Sequence, residues 1–498
     1  MHPPRVPPFI AFLSLRFRHV AWMATAWFAM GALPTTSAQT PTRADDLAPD
    51  VAANLHRIRD AALHSDWAWQ QLQDLTDRIG PRLSGSPQQL AAVAQVADTM
   101  RALGAQVRLQ PVQVPHWVRG EEQGELTAYP GRPPDVTQRL HLVALGGSGA
   151  TGLGGIERRV VVLHSLDELD ARAAEIKGNI VVFAERFDEQ KALAGHALDA
   201  YRAAGPFRNH GPARAARAGA AAVLVRSLAG ADFRLPHTGA TNWQQGQEPI
   251  PAAALAAEDA DLIERLAARG EVDLRLVLTP RLLPDVSTAN VIADWPGRDA
   301  PDEFVVVSGH LDSWDLGTGA VDDGVGMISS AAVIQVLESL HLHARRTIRF
   351  IGWVNEENGS RGSKAYAASA KDSIDRHCAV IESDLGAGHV QGVASNVDPA
   401  NANALEPLAA QLATFGAAHI EIENRLLGAD ISPLEEMGVP GFEPILDARH
   451  YFDIHHSAAD TLDKVDPRFL QEQAATLATL AYFLADRAQC LPRIAITP

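Results

Sequence analysis

Residues 304–340 read FVVVSGHLDSWDLGTGAVDDGVGMISSAAVIQVLESL. The apolar run Phe304–Ser308 predicts a short buried strand. A polar, glycine-rich loop follows, and then Gly324–Leu340 predicts a helix. There Val333, Val336, Leu337 and Leu340 fall at i, i+3, i+4 and i+7, which makes one buried face. The alternation continues with a strand at Ile348–Val354, a helix at Gly362–Ala370 and a strand at Ala379–Ser383. Strands alternating with helices require crossovers, which lay the strands parallel and place helices on both faces of the sheet. The expected fold is α/β, a mostly parallel doubly wound sheet.

Upstream, residues 51–107 read as helices (Val51–Ser65, a stretch around Trp69–Leu75, and Gln88–Leu103 stopped by Gly104), with a strand at Gln106–Pro111. From about Glu125 to Leu283 the texture changes to short β runs between Gly/Pro turns: Leu140–Leu145, Val160–Val162, Ile180–Phe183, Ala222–Val225 and Leu274–Leu278. Only brief helices are expected there, at Leu166–Ala174, Ala213–Ala218 and Ala257–Ala268. The expected organisation is an α/β domain in two parts, 39–125 and 286–490, with a β-rich insert at 126–285. Gly147, Gly149 and Gly152 spell G-x-G-x-x-G, but the loop leads into the β run Val160–Leu163 instead of opening a helix. A dinucleotide site needs that helix N-terminus, so a glycine-rich β-turn is the reading.

At the N-terminus Arg5, Arg16 and Arg18 precede the apolar run Val20–Leu33, and Thr36-Ser37-Ala38 offers small residues for cleavage. Fourteen residues fall short of the ~20 that span a bilayer. The order of charge, apolar core and small residues is that of a signal peptide, here 1–38. Export to the periplasm or the exterior is expected, without stable membrane association after cleavage. The chain has 498 residues, 46% hydrophobic and 21% charged, ample for a core and far from disordered composition. Forty-three basic against 60 acidic side chains give a net charge of −17, which argues against nucleic acid as a partner. Cys378 and Cys490 are too few for a disulfide scaffold or a Cys-rich zinc module; two core thiols are expected, with one bridge as the alternative.

Chemistry concentrates where the strands end. His310 and Asp312 stand just past the first strand, at the carboxyl edge where open α/β sheets bind ligands. Asp312 suits orienting the imidazole better than holding a metal. Asp322 closes the loop before the helix. The next strand ends in Asn355-Glu356-Glu357-Asn358-Gly359, and the third in Glu382-Ser383-Asp384. Adjacent glutamates past a buried strand point opposite ways, so one can bind metal while the other faces substrate. His455-His456-Ser457-Ala458-Ala459-Asp460-Thr461 adds a late imidazole. His310, Asp322, Glu357, Asp384 and His456 offer oxygen and nitrogen without thiolate, which suits two zinc ions or another borderline divalent metal.

The order H-x-D, D-D-G, E-E-x-G, E-S-D and H-[ST]-x-x-D-T resembles the di-zinc aminopeptidase family, and the likeness extends over residues 50–490. It includes Val114-Pro115-His116-Trp117-Val118-Arg119-Gly120-Glu121-Glu122 and Leu235-Pro236-His237-Thr238-Gly239. The resemblance implies a secreted metallo-exopeptidase acting on dipeptides or short peptides, with an aminopeptidase acting on longer peptides, or a receptor-like relative without catalysis, as the alternatives. It implies that His310 and Asp384 bind one zinc, Glu357 and His456 the other, that Asp322 bridges, and that Glu356 is the general base. His456 is preferred over His455 because the family's last ligand directly precedes Ser or Thr. The insert would be a protease-associated (apical) domain that roofs the cleft and gives no ligand, the enzyme a homodimer, and the Asp322–Asp323 peptide cis. Some members place an oxyanion-donating Tyr just before the segment matching Gly428-Ala429-Asp430. Leu426 and Leu427 stand there in this chain, which leaves His450, Tyr451 or the second zinc for that task.

Overall fold

The computed structural model describes residues 49–230 and 233–495, so the signal peptide expected at 1–38 lies outside the described residues. In chain order the strands are β1 (Gln106–Val118), β2 (Glu122–Ala128), β3 (Gln138–Leu140), β4 (Leu142–Ala144), β5 (Ile156–Leu163), β6 (Ile180–Phe183), β7 (Ala222–Arg226) and β8 (Ala252–Leu255). They continue with β9 (Asp273–Leu278), β10 (Arg281–Trp295), β11 (Ala300–His310), β12 (Arg346–Trp353), β13 (His377–Glu382), β14 (Val390–Ser395), β15 (His419–Ile422) and β16 (Gly441–Leu446).

One eight-stranded sheet runs β1-β10-β12-β11-β13-β16-β14-β15. Its centre, β12-β11-β13-β16, is parallel; β1 pairs antiparallel with β10, β10 with β12 and β14 with β16, whereas the edge strand β15 runs parallel to β14. The central strands are apolar on both faces because both faces are covered. Val305 and Val307 enter the core with the helices Val325–Ser339 and Pro467–Asp486, while Val306 packs on the opposite side with Trp353, Tyr366 and Leu434. That two-residue alternation is the doubly wound arrangement expected from the strand–helix rhythm. Ala320–Ser339 is the one helical stretch among the described residues long and apolar enough to cross a membrane, and it lies buried in this core.

The N-terminal helices fall at Pro49–Leu63, Trp67–Arg78 and Pro87–Ala102, the last capped by Ser86, whose Oγ accepts from Gln89 N at 3.1 Å. The long antiparallel pair β1/β10 then leads to a second eight-stranded sheet, β3-β2-β9-β5-β6-β7-β8-β4, built wholly from residues 122–278. Its segment β5-β6-β7-β8 is parallel and carries helices. This part of the chain is therefore more helical than its texture suggests. A 13-residue helix, Ala197–Asn209, passes unnoticed in the sequence because Gly205-Pro206 reads as a break. The proline sits inside the helix, which buries Ala197, Ala200, Ala204 and Arg208 along one face.

Cys378 and Cys490 are joined as a disulfide, not held as two thiols. The bond ties the start of β13 to the segment after the Pro467–Asp486 helix, and 112 residues separate its ends. Sequence distance hid the pair, because the C-terminal segment returns to the edge where β13 begins.

Candidate metal centre

Three parallel strands deliver their carboxyl ends to one cleft. His310 is the last residue of β11, pairs in register with Trp353 of β12, and is buried. Its Nε2 lies 3.2 Å from Asp322 Oδ1 and 3.2 Å from Asp384 Oδ1. Asp384 follows β13 by two residues. Asp322 sits in the loop before the Val325–Ser339 helix, with the peptide to Asp323 cis. The other oxygen of Asp322, Oδ2, is 3.2 Å from His456 Nε2 and 3.4 Å from His455 Nε2. Glu357 Oε2 is 3.0 Å from His456 Nε2. Asp322 thus stands between two groups, His310/Asp384 on one side and His456/Glu357 on the other. His455 stacks on His456 with ring centroids 3.6 Å apart, but only His456 also meets Glu357.

The supporting contacts explain why the loops take these shapes. Asp460 accepts Val321 N (2.7 Å) and Asp322 N (3.2 Å), and Asp323 accepts His310 N (3.0 Å) and Gly326 N (3.1 Å). Arg82, fully buried, donates to the carbonyls of Gly80, Leu311, Thr318 and Gly319 and so shapes the loop after β11. Asp312 plays a different part from the one its spacing suggests. Its backbone carbonyl, not its carboxylate, lies 2.9 Å from His310 Nδ1. The carboxylate instead accepts Ser84 Oγ (2.8 Å) and Glu356 N (3.1 Å), because residue 312 folds back toward the turn after β12. That turn passes through Asn355 at φ 67°, after which Glu356 is partly open to the cleft and Glu357 is buried.

The segment between β7 and β8 reaches the same place. Thr238 N donates to His456 O (2.8 Å), Thr238 O is 3.3 Å from His456 Nδ1, and His237 Nδ1 is 2.6 Å from His455 O. These contacts hold His456 in its left-handed conformation, φ 58°. The cleft, about 540 Å³, is lined by Asp322, Glu356, Glu357, Asp384 and His456 together with Tyr201, Arg208, Asn209 and Asn242 from residues 122–278. The sequence carried no signal for Arg82, Ser84 or Arg208. Asp460 was visible as part of the last motif.

Burial, followed by the neighbouring Asp322 charge, pushes the Glu357 carboxyl up to about 7. Burial likewise raises Asp384, and lifts Glu356 well above the usual carboxylate range. For Asp322 burial works the same way but is outweighed by hydrogen bonds from His310 and His456, which hold it well below that range. Glu357 Oε1 is buried with no hydrogen-bond partner among the described residues, and buried Asp322 Oδ2 faces only the imidazole nitrogens of His455 and His456. Ligand atoms of His310, Asp322 and Asp384 lie within 4.8 Å of one another, as do those of Asp322, His455 and His456. Crowded acids, imidazoles facing them and an orphaned carboxylate oxygen fit divalent cations, whose charge would answer the burial of so many carboxylates.

Tyr451 completes the wall. It is 7% exposed, lines the cleft, and its phenol makes no hydrogen bond to any described residue. Its ring packs against Gly386, where a Cβ would come within 2.7 Å of Tyr451 Cδ2 and where φ is 93°, so only glycine fits. His450 is exposed, is paired with Asp453 at 2.8 Å and is not among the residues lining the cleft. Leu427 is buried among Trp353, Tyr366 and Ile431.

Comparison with known proteins places this geometry. Residues 290–481 match the model of peptidase family M28. Over 449 residues the chain is 33% identical to carboxypeptidase Q of Bos taurus, covering 89% of this chain and 90% of that protein. The crystal structure of a peptidase M28 precursor from Shewanella amazonensis superposes with a TM-score of 0.84 at 31% identity, over 90% of this chain and 99% of that one. An aminopeptidase from Aneurinibacillus shares the fold at 20% identity, with a TM-score of 0.61 over 89% and 98% of the two chains.

Proposed function

The chain belongs to peptidase family M28 and is a metallopeptidase, and from that premise we propose that it is an exported exopeptidase with two zinc ions per chain, cleaving dipeptides or short peptides. The observation that carries the reading is Asp322, whose two oxygens face His310 and Asp384 on one side and His456 on the other. His310 and Asp384 would hold one ion, Glu357 and His456 the second, and Asp322 both. Bound there, the ions supply Lewis-acid polarisation of a substrate carbonyl and acidify a water to near-neutral pKa.

The side chains of the protein do the rest. Glu356 is fixed through its backbone N–H on Asp312 and is partly open to the cleft. Its carboxylate takes the proton of the attacking water and returns it to the departing amine. Burial raises its proton affinity toward the range a general base needs. The free phenol of Tyr451 donates to the oxygen that gains charge as the carbonyl becomes tetrahedral. Residues 122–278 close the cleft and limit substrate length, through Tyr201, Asn209 and Asn242. Export is supported by the order of charge, apolar core and small residues at the N-terminus and by the disulfide, which persists in oxidising compartments.

The test is a panel of free dipeptides, end-blocked dipeptides and one long peptide blocked at both ends. Release of free amino acids from the dipeptides is expected. Internal cleavage of the doubly blocked peptide would refute the exopeptidase reading.

A further inference from the structure

Two stretches to which no metal ligand belongs, 114–122 and 235–239, meet at one side chain. Arg119 stands where the chain leaves β1 of the first sheet for β2 of the second. Its guanidinium is largely buried and reaches three parts of the molecule at once. Nε and Nη2 donate to the two oxygens of Asp315 at 2.8 and 2.6 Å, in the loop that follows β11. Nη1 donates to Glu122 Oε1 (2.7 Å) and to Ala144 O (2.8 Å), and Nη2 lies 3.5 Å from Thr238 Oγ1. Thr238 Oγ1 donates to the same carbonyl, Ala144 O, at 2.8 Å. A guanidinium can grip a carboxylate with two parallel bonds and still donate sideways, which an ammonium cannot do with fixed geometry.

The neighbours of this fork fix both sides of the contact. Trp314, next to Asp315, is 4% exposed and packs with Leu140, Ala144 and Leu278 in the core of the second sheet. It lies against Gly146, where a Cβ would come within 2.1 Å of the indole ring. The Trp117 ring lies 5.1 Å from the guanidinium carbon. The loop after β11 is thus anchored in residues 122–278 by an indole and an ion pair side by side.

Both arms of the fork lead to the second metal group. Asp315 stands seven residues before Asp322 in the same loop. Thr238 holds His456: its N–H donates to His456 O at 2.8 Å, and its carbonyl stands 3.3 Å from His456 Nδ1. An imidazole that binds metal through Nε2 carries its proton on Nδ1, and a backbone carbonyl there fixes the ring. The 3.2 Å between His456 Nε2 and Asp322 Oδ2 therefore depends on how the Thr238 segment sits against the loop after β11. His310 and Asp384 face each other from the ends of β11 and β13, which belong to the first sheet alone. We propose that Arg119 is a positioning residue for the second metal group, setting the spacing of His456 and Asp322 by fastening Asp315 to the Thr238 segment. The inference rests on the two-ion reading above.

The test is a zinc titration of the metal-stripped full chain in competition with a chromophoric chelator. It is run on wild type, Arg119→Met, Arg119→Lys, Asp315→Asn and the double variant of Arg119→Met with Asp315→Asn. Wild type should take up two ions. Arg119→Met should weaken the second ion roughly 10–100-fold, as loss of a partner behind a metal ligand does, and leave the first unchanged. Arg119→Lys keeps the charge without the fork and should recover only part of that loss. Asp315→Asn leaves Glu122 beside the guanidinium, so folding should hold, and it should weaken the same ion. The double variant should lose less than the two single losses together, because both remove one contact. Equal weakening of both ions, an unchanged second ion or strictly additive losses would overturn the proposal. A wild type that binds fewer than two ions would reject the two-ion reading and the proposal with it.

Discussion

Glu356 and Glu357 leave the same turn in opposite directions, and their surroundings assign them different work. Glu357 Oε2 meets His456 while its other oxygen is orphaned, whereas Glu356 opens on the cleft. Glu356→Gln should lower kcat by ~10²–10⁴-fold with metal content unchanged. Glu357→Gln should lower metal content, with activity partly recovered in excess zinc. Metal analysis beside kinetics on both variants checks the assignment, and the reverse pattern would exchange the roles. Tyr451→Phe keeps the ring against Gly386 and removes only the hydroxyl, so folding should hold. Its kcat should fall by roughly 10²–10³-fold at unchanged KM, read by steady-state kinetics, and an unaltered kcat would remove Tyr451 from the mechanism. The residues at strand ends were legible because each motif is local: His310, Glu357 and Asp384 each follow their own strand. The choice among His450, Tyr451 and metal was not, since it depends on where the ring of Tyr451 meets residue 386, 65 positions upstream.

At the scale of elements, β13 joins the site to a second polar network at its opposite end. Arg349 is held by Asp294 and donates to Tyr366 Oη (2.9 Å), which lies 2.9 Å from His377 Nε2, while His377 Nδ1 faces Ser373 O at 3.3 Å. The phenol can donate to Nε2 of a neutral imidazole at His377 while it accepts from Arg349. Burial, then the Arg349 charge, lowers its pKa from the usual 6.5 to about 4. A histidine whose folded pKa is depressed gives stability present above the unfolded value and lost as pH falls from 6.5 toward 4. The loss is at most about 3 kcal/mol. His377→Asn should flatten the fall in unfolding free energy across that window, measured by urea titration at several pH values. An unchanged slope would place the acid sensitivity elsewhere. The strand–helix alternation of residues 304–383 was readable because period and length are local properties. The Ala197–Asn209 helix was not, because Gly205-Pro206 argues against a helix that tertiary burial of Ala200, Ala204 and Arg208 maintains.

For the whole molecule, the second sheet is more than a roof. Thr238 and His237 hold the backbone of His456 and His455, a contact spanning 218 residues that no local pattern reveals. Removing residues 122–279 should therefore lower metal content as well as alter substrate choice. Full metal content in a well-folded deletion would reduce that part of the chain to steric closure. The Cys378–Cys490 bond closes a loop across 112 residues, and the double Ser variant should lose roughly 2–4 kcal/mol of unfolding free energy in denaturant titrations. No change would mean that the packing of the C-terminal helix already fixes that segment. All these parts converge on Asp322, placed between two groups of ligands by Asp460 and the loop that Arg82 shapes. The most direct measurement is zinc bound per chain against dipeptide hydrolysis during reloading of chelator-stripped protein, for wild type and Asp322→Asn. Wild type should regain activity as it takes up two ions per chain, and Asp322→Asn should bind fewer and remain inactive. Full hydrolysis without metal, or an Asp322→Asn variant that holds two ions and turns over normally, would contradict a shared carboxylate at the centre of the site.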